Sequence, residues 1–463
     1  MRIKILLLIC YLLPFLIISI YNQPAIDDFW NANTVIAHGR LGTVIFYFQT
    51  VSGRFFSNFL MSFLNTLPYG SIWIFKLWPV VIIVLLFGSI LFLFRSIFSE
   101  NISFKQAVIA SLLFVLLHLA NIRVLFEGLY WMSSTICYQV AICLFAVGTG
   151  AVVRCISTKS FAYSVIAVMS SLLLPGAAET LAPVYIFVLA VILFVSIKLK
   201  RPLTITIISL AAVFLSFLVI FLSKGNHVRI TNKSFIAYPG TFYAFYYAAR
   251  AVGYYFLYWI TTLVNVSALI LALPFIHRFA NQNSKNLQTL NLHPILLLII
   301  LFFLCCIIYL PQLLFEAQTP SPRITTLVFF LASHFAILIL CITLLRYPRF
   351  NQFVAHYSNF KNFHLIACTF FFVCAFTSTN FSLVVKDLAN GSAKGFNKEA
   401  LCRYAKIKST KSDTCYVDRY TNWPAFIQSS KKEDYSFSHM NIFFGKTILY
   451  KNAWHPFVNK LVK

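Results

Sequence analysis

The stretch 72–94, IWIFKLWPVVIIVLLFGSILFLF, decides the fold: twenty-three residues that carry a single charge, Lys76. A helix needs about 20 apolar residues to cross the hydrocarbon core of a bilayer. Comparable runs lie near 4–21, 106–122, 135–153, 161–174, 181–197, 203–223, 255–276, 295–314, 324–345 and 365–385. The composition agrees. Hydrophobic residues make up 60% of the 463 and charged residues 11%, against about 45–50% and about 25% in soluble domains. Mean hydropathy is +0.81. The expectation is an all-α polytopic membrane protein with about 11 transmembrane helices, over 1–386. A polar tail of unassigned fold follows, over 387–463.

The start MRIKILLLICYLLPFLIISI is not followed by a small-residue cleavage site, so it reads as an uncleaved first helix. The aromatic stretch 235–254, FIAYPGTFYAFYYAARAVGY, reads as an interfacial helix or a twelfth span. The net charge of +25 points away from nucleic acid, because basic residues in short cytoplasmic loops satisfy the positive-inside rule. With the N terminus in the cytoplasm, those loops carry Arg95, Lys105, Arg154, Lys159, Lys198, Lys200 and Arg201. They continue with Arg278, Lys285, Arg346, Arg349 and Lys361, and Glu100 is their one acid. Every other acidic residue before 386 then falls outside, and eleven spans place the tail outside too. Of the 11 cysteines, nine lie in or beside apolar segments, where Cys acts as a small hydrophobe. Cys402 and Cys415 lie in the tail and could pair in an oxidising compartment.

Charge at a membrane edge is costly and usually functional, so the external polar residues are the candidates. Asp27 and Asp28 sit side by side in YNQPAIDDFW, after the first apolar run. Adjacent carboxylates repel, which raises one pKa; the plainer reading is that one caps the helix opening at FWNANTV. Arg54, in GRFFSN at 53–58, suits bidentate phosphate binding or snorkelling to headgroups. In RVLFEGLYWMSSTICY at 123–138, Glu127 with Tyr130 and Trp131 suits a sugar ring, although an interfacial aromatic belt looks similar. Glu179 opens a helix in PGAAET, a favourable dipole position in any case. KGNHVRI at 224–230 offers Asn226 and Arg229 for a phosphate or pyrophosphate. FEAQTPSPRIT at 315–325 brings Glu316 and Arg323, a structural ion pair or a phosphate-facing arginine. No Walker A, dinucleotide fingerprint, HExxH or GxSxG element is present in the sequence.

A first apolar helix, then DDFW, then GRFFSN resembles the start of the polytopic bacterial C-type glycosyltransferases (the GT-C superfamily). The nearest likeness is to an uncharacterised bacterial branch. The Glu127 patch, Glu179, the Gly-Asn-x-x-Arg element at 225–229 and Arg323 follow in the same order. The resemblance implies sugar transfer from a polyprenyl-phosphate donor to a cell-surface glycan, lipid or protein, at the outer face of the bacterial inner membrane. It implies a base at Asp27 or Asp28, phosphate held by Arg54, Arg229 and Arg323, and sugar hydroxyls or a metal held by Glu127 and Glu179. The two Asp residues are adjacent rather than spaced as DxD, which leaves dependence on a divalent cation open. A flippase for lipid-linked sugar and a polysaccharide polymerase or ligase are the alternatives. Transporters favour ionisable groups at the midplane, whereas these cluster at one face.

Overall fold

The computed structural model describes residues 2–98, 102–231, 241–289, 292–315, 321–358, 360, 362–430 and 433–451. The chain opens with α1 (Arg2–Ile18), α2 (Asp27–Thr50), α3 (Phe55–Leu64), α4 (Trp73–Ile97), α5 (Phe104–Asn121) and α6 (Met132–Thr158). It continues with α7 (Phe161–Ala177), α8 (Ala182–Lys198), α9 (Thr204–Phe221), α10 (Lys224–Thr231), α11 (Thr241–Thr261), α12 (Leu263–Gln282), α13 (Ser284–Thr289) and α14 (Pro294–Phe315). The last part holds α15 (Thr325–Arg346), α16 (Pro348–Ser358), α17 (Phe363–Phe376), α18 (Thr379–Ala389), α19 (Ser392–Ser409), β1 (Thr414–Val417), α20 (Glu433–Phe444) and β2 (Thr447–Tyr450).

Among the described residues, eight helical segments are long and apolar enough to cross a membrane, or nine if the pair α16 and α17, bent by 90°, is one span. Two shorter apolar helices, Ile5–Tyr21 and Phe161–Ala177, coincide with other predicted runs. The aromatic segment expected at 235–254 is helical from Thr241 and runs on to Thr261; residues 232–240 lie outside the described part.

At the centre is α6, whose apolar window is 78% buried against 33–50% for the other long helices. The outer helices are apolar outside and small or hydroxylated inside. On α9, Ser209, Ala212, Val213 and Ser216 are buried, while Ile207, Phe214, Leu215 and Phe221 face outward. Small residues let helix backbones approach in lipid, where the hydrophobic effect no longer drives helix association.

One end of the bundle is knitted by polar side chains. The Asn22 amide donates to the carbonyl oxygens of Phe75 and Tyr130 at 2.8 and 2.7 Å. Trp78 Nε1 donates to Thr135 Oγ1 at 2.7 Å. Asn380 donates to the Leu119 and Ile122 carbonyls, and Asn121 exchanges hydrogen bonds with Asn265. These contacts gather the start of α4, the end of α5, the start of α6, the start of α12 and the start of α18. Following α4, α6 and α12 away from this end brings Arg95, Arg154 and Arg278 to the opposite end of the bundle. The charge segregation read from the sequence is therefore built into the helix directions.

The tail is a small α/β unit, in which β1 and β2 pair in parallel with Thr414 opposite Thr447 and Val417 opposite Tyr450. The buried Asp387 carboxylate accepts from the Ala425 and Phe426 amides, both at 2.9 Å, and from Ser392 Oγ at 3.0 Å. The Arg403 guanidinium lies 3.6 Å from the Tyr420 ring centroid. Both tail thiols are free, Cys402 exposed and Cys415 buried. The unit sits on the knitted end. Phe29 of α2 packs against Tyr404, Phe443 and Phe444, and Phe426 meets Tyr130 edge to face.

Candidate functional site

The Asp pair opens α2 directly, in its first turn, where negative charge is favoured by the helix dipole. The residue before it, Ile26, has φ +35°. A β-branched side chain rarely adopts positive φ, and such backbone strain, of order 1–3 kcal/mol, clusters at functional sites. This turn separates the two carboxylates. Asp28 is buried, 2% exposed. Its Oδ1 accepts from Ser133 Oγ at 2.5 Å and from Ser133 N at 3.3 Å, and its Oδ2 from Ala25 N at 2.9 Å. Burial pushes its pKa up to about 7, against the pull of the Ser133 and Ala25 hydrogen bonds; repulsion from Asp27 is a smaller upward cause. The repulsion expected from the sequence is thus real but secondary to desolvation. Asp27 is half-buried and lines a cavity of about 520 Å³.

That cavity lies between α2, α3, α6, α10, the turn Pro322–Ile324 that leads into α15, and α20. Besides Asp27 its polar lining includes Asn58, Arg54, Ser134, Tyr138, Arg323 and His439. Arg323 rests on two aromatic faces, its guanidinium carbon 5.2 Å from the Trp131 ring centroid and 5.6 Å from that of Tyr138. Stacking of this kind holds a guanidinium while leaving its edge for a ligand. Arg323 Nε and Ser134 Oγ are buried without a hydrogen-bond partner among the described residues, an arrangement that costs free energy unless a ligand or water supplies the acceptor. Among the described residues, the acidic side chains that act on Arg323 are Asp27 and Glu127. Glu127 sits in a π-helical turn, Phe126–Tyr130. It accepts from Ser321 Oγ at 3.4 Å, and burial raises its pKa, partly offset by Arg323.

Arg54 and Glu179 are partners. Arg54 Nε and Nη2 both donate to the Glu179 carboxylate, the second at 2.6 Å, with the side chains 15% and 18% exposed. Expected on separate ligands, the two side chains are instead bound to each other in a fork, the strongest geometry open to them. Both line a second cavity of about 170 Å³, whose apolar wall includes Phe217, Phe221, Pro311 and Ile324. Arg54 and Tyr138 line both cavities.

Two glycines bring GRFFSN and KGNHVRI together. A Cβ on Gly225 would lie 2.6 Å from Ser52 N, and one on Gly53 would lie 2.8 Å from the Ile220 carbonyl oxygen. Asn226 seals the joint by accepting from Gly53 N at 3.1 Å and donating to Ile220 O at 2.8 Å. Its amide is therefore spent on the backbone, although the residue also borders the smaller cavity.

Other expectations change. Tyr130 is fully buried and donates to Phe15 O at 3.0 Å; it is a packing residue and does not line the cavity. Trp131 supports Arg323 from behind and is not itself in the lining. Arg229 lies in α10, with its side chain outside the described residues, and Glu316 lies outside them altogether. Tyr138, the last residue of the 123–138 patch, is with Arg54 one of two residues that line both cavities. His439 came from a tail with no recognisable motif. It reaches the cavity wall and meets Trp30 edge to face; burial lowers its pKa, with Asp27 pulling the other way. Among the described residues, no group of three or more His, Cys, Asp or Glu side chains is placed to hold a metal ion.

No protein-family model, curated protein or solved structure matches this chain.

Proposed function

We propose that this protein is an integral-membrane glycosyltransferase that moves a sugar from a polyprenyl-phosphate donor to a cell-surface glycan, lipid or protein with inversion at the anomeric carbon. The observation that carries the reading is Asp27 and Arg323 lining one cavity, with Arg54 in the same wall. A carboxylate and two guanidiniums are the parts that such a transfer needs. Asp27 accepts the proton of the acceptor hydroxyl as its oxygen bonds to the anomeric carbon. The bond from that carbon to the phosphate oxygen breaks, and the electron pair leaves with the phosphate, whose charge Arg323 stabilises, with Arg54, held in its fork to Glu179, adding to it from the cavity wall. Asp28 is a positioning residue, fixing the first turn of α2 through Ser133. The apolar cavity beside Arg54 suits the first isoprene units of the donor, and His439 brings the tail to the acceptor side.

The same proposal sets the chain in a bacterial plasma membrane with eleven spans: the eight long helices, the bent pair, and the two shorter helices at Ile5–Tyr21 and Phe161–Ala177. The basic end then faces the cytoplasm, and the cavity and tail lie outside.

Membrane vesicles containing the protein, given labelled polyprenyl-phosphate sugars, test the reading. Protein-dependent incorporation of label into glycan, lipid or protein supports it. Protein-dependent passage of labelled lipid-linked sugar across the membrane, without transfer to any acceptor, would replace it with the transporter reading.

A further inference from the structure

A further cavity, separate from the site, lies toward the other end of the bundle. It measures about 460 Å³ and is bounded by α4, α5, α12, α15 and α17. Its lining is ordered. The polar residues are Gln106 in the first turn of α5, Arg278 and Gln282 near the end of α12, and His364 in the first turn of α17. All four lie toward the basic end, and all four are exposed. Deeper in, the lining is apolar, reaching Leu117 on α5 and Ala268 on α12. At 1.5 Å per residue, Gln106 to Leu117 spans about 16 Å and Ala268 to Gln282 about 21 Å. A single leaflet of the hydrocarbon core is about 15 Å deep.

We infer that this slot is a binding site for an anionic phospholipid of the leaflet opposite the candidate active site, with one acyl chain in the slot and the phosphate at Arg278. Three properties converge on that occupant. The depth matches one leaflet, the walls carry no charge below the rim, and the rim carries the Arg278 guanidinium beside the hydrogen-bonding side chains of Gln106, Gln282 and His364. The neighbouring sequence reinforces the choice of charge, since Arg95 and Lys105 flank the helix ends that form the same rim. A zwitterionic headgroup would satisfy the apolar slot but gain less from Arg278. The inference does not depend on the chemistry proposed for the other end.

The test uses the full-length protein in nanodiscs of phosphatidylcholine with increasing phosphatidylglycerol, followed by release into detergent and native mass spectrometry of retained lipid. Retention of phosphatidylglycerol in preference to phosphatidylcholine is expected. Arg278→Gln should weaken that preference by about tenfold, the size of one lost charged hydrogen bond. Ala110→Phe, which fills the slot wall, should lower retention of both lipids. Equal retention of the two by the wild type, or unchanged preference in Arg278→Gln, would overturn the inference. So would displacement of the retained lipid by glycerol phosphate alone, since binding would then reside in the headgroup without the slot. If Ala110→Phe does not fold, the Arg278→Gln comparison still decides.

Discussion

Ser133 donates both its hydroxyl and its backbone amide to the same oxygen of Asp28, at 2.5 and 3.3 Å. That contact fastens the first turn of α2 to the start of the central helix α6, and so aims the neighbouring Asp27 into the cavity. Ser133→Ala removes the hydroxyl and leaves a buried carboxyl with one donor fewer, which should cost about 1–3 kcal/mol. Thermal unfolding in detergent measures it, and an unchanged midpoint would show that the contact does not hold the turn.

The raised pKa of Asp28 has a definite pH signature. The folded value, about 7, stands above the unfolded value of 3.8. The folded state therefore binds the extra proton between these values, and its contribution to stability is full below the lower one and gone above the upper one. Wild-type stability should fall by up to about 1.4 kcal/mol per pH unit across that window and level off above it. Asp28→Asn should flatten this part of the profile. A wild-type melting profile with no fall across the window would contradict the burial argument.

The Arg54–Glu179 fork predicts strong coupling. Removing one partner strands a largely buried charge, at a cost of about 3–5 kcal/mol. Glu179→Ala and Arg54→Ala should each destabilise heavily, and the double variant should lose much less than the sum of the two. Additive losses in a double-mutant cycle would mean that the pair acts as two independent surface groups.

Gly225→Ala tests the joint between the two motifs. With Ser52 N only 2.6 Å from the added Cβ, the GRFFSN loop must shift and carry Arg54 with it. The expected outcome is a loss of transfer activity larger than the loss of stability. Unchanged activity would show that the loop accommodates the methyl group without moving Arg54.

The helical, many-span character was legible because length and apolarity alone set it; the expected span 255–276 was not, since the chain breaks at Thr262 between α11 and α12. Runs such as 72–94 leave little else for the chain to do in water. The gathering of Asp27, Glu127, Glu179 and Arg323 at one end was legible too, since alternating helix directions convert loop position into side. What the sequence could not reveal was pairing. Nothing in PGAAET or GRFFSN states that Glu179 and Arg54 are partners, because 125 residues separate them. Nor does DDFW state which aspartate is turned inward; the strained Ile26 and the Ser133 donors decide that, and both are tertiary effects. Tyr130 looked like a ligand-facing aromatic and is core, since interfacial and buried aromatics share one composition. His439 was out of reach because the tail offers no periodicity to read.

The most direct test of the central claim compares Asp27→Asn with wild type in vesicles of matched protein level, following labelled sugar from a polyprenyl-phosphate pool into product. Loss of a general base lowers the rate by about 10²–10⁴-fold. The account predicts a fall of that size for Asp27→Asn, with the protein still inserted and melting near the wild-type midpoint. Transfer at the wild-type rate by folded Asp27→Asn protein would contradict it.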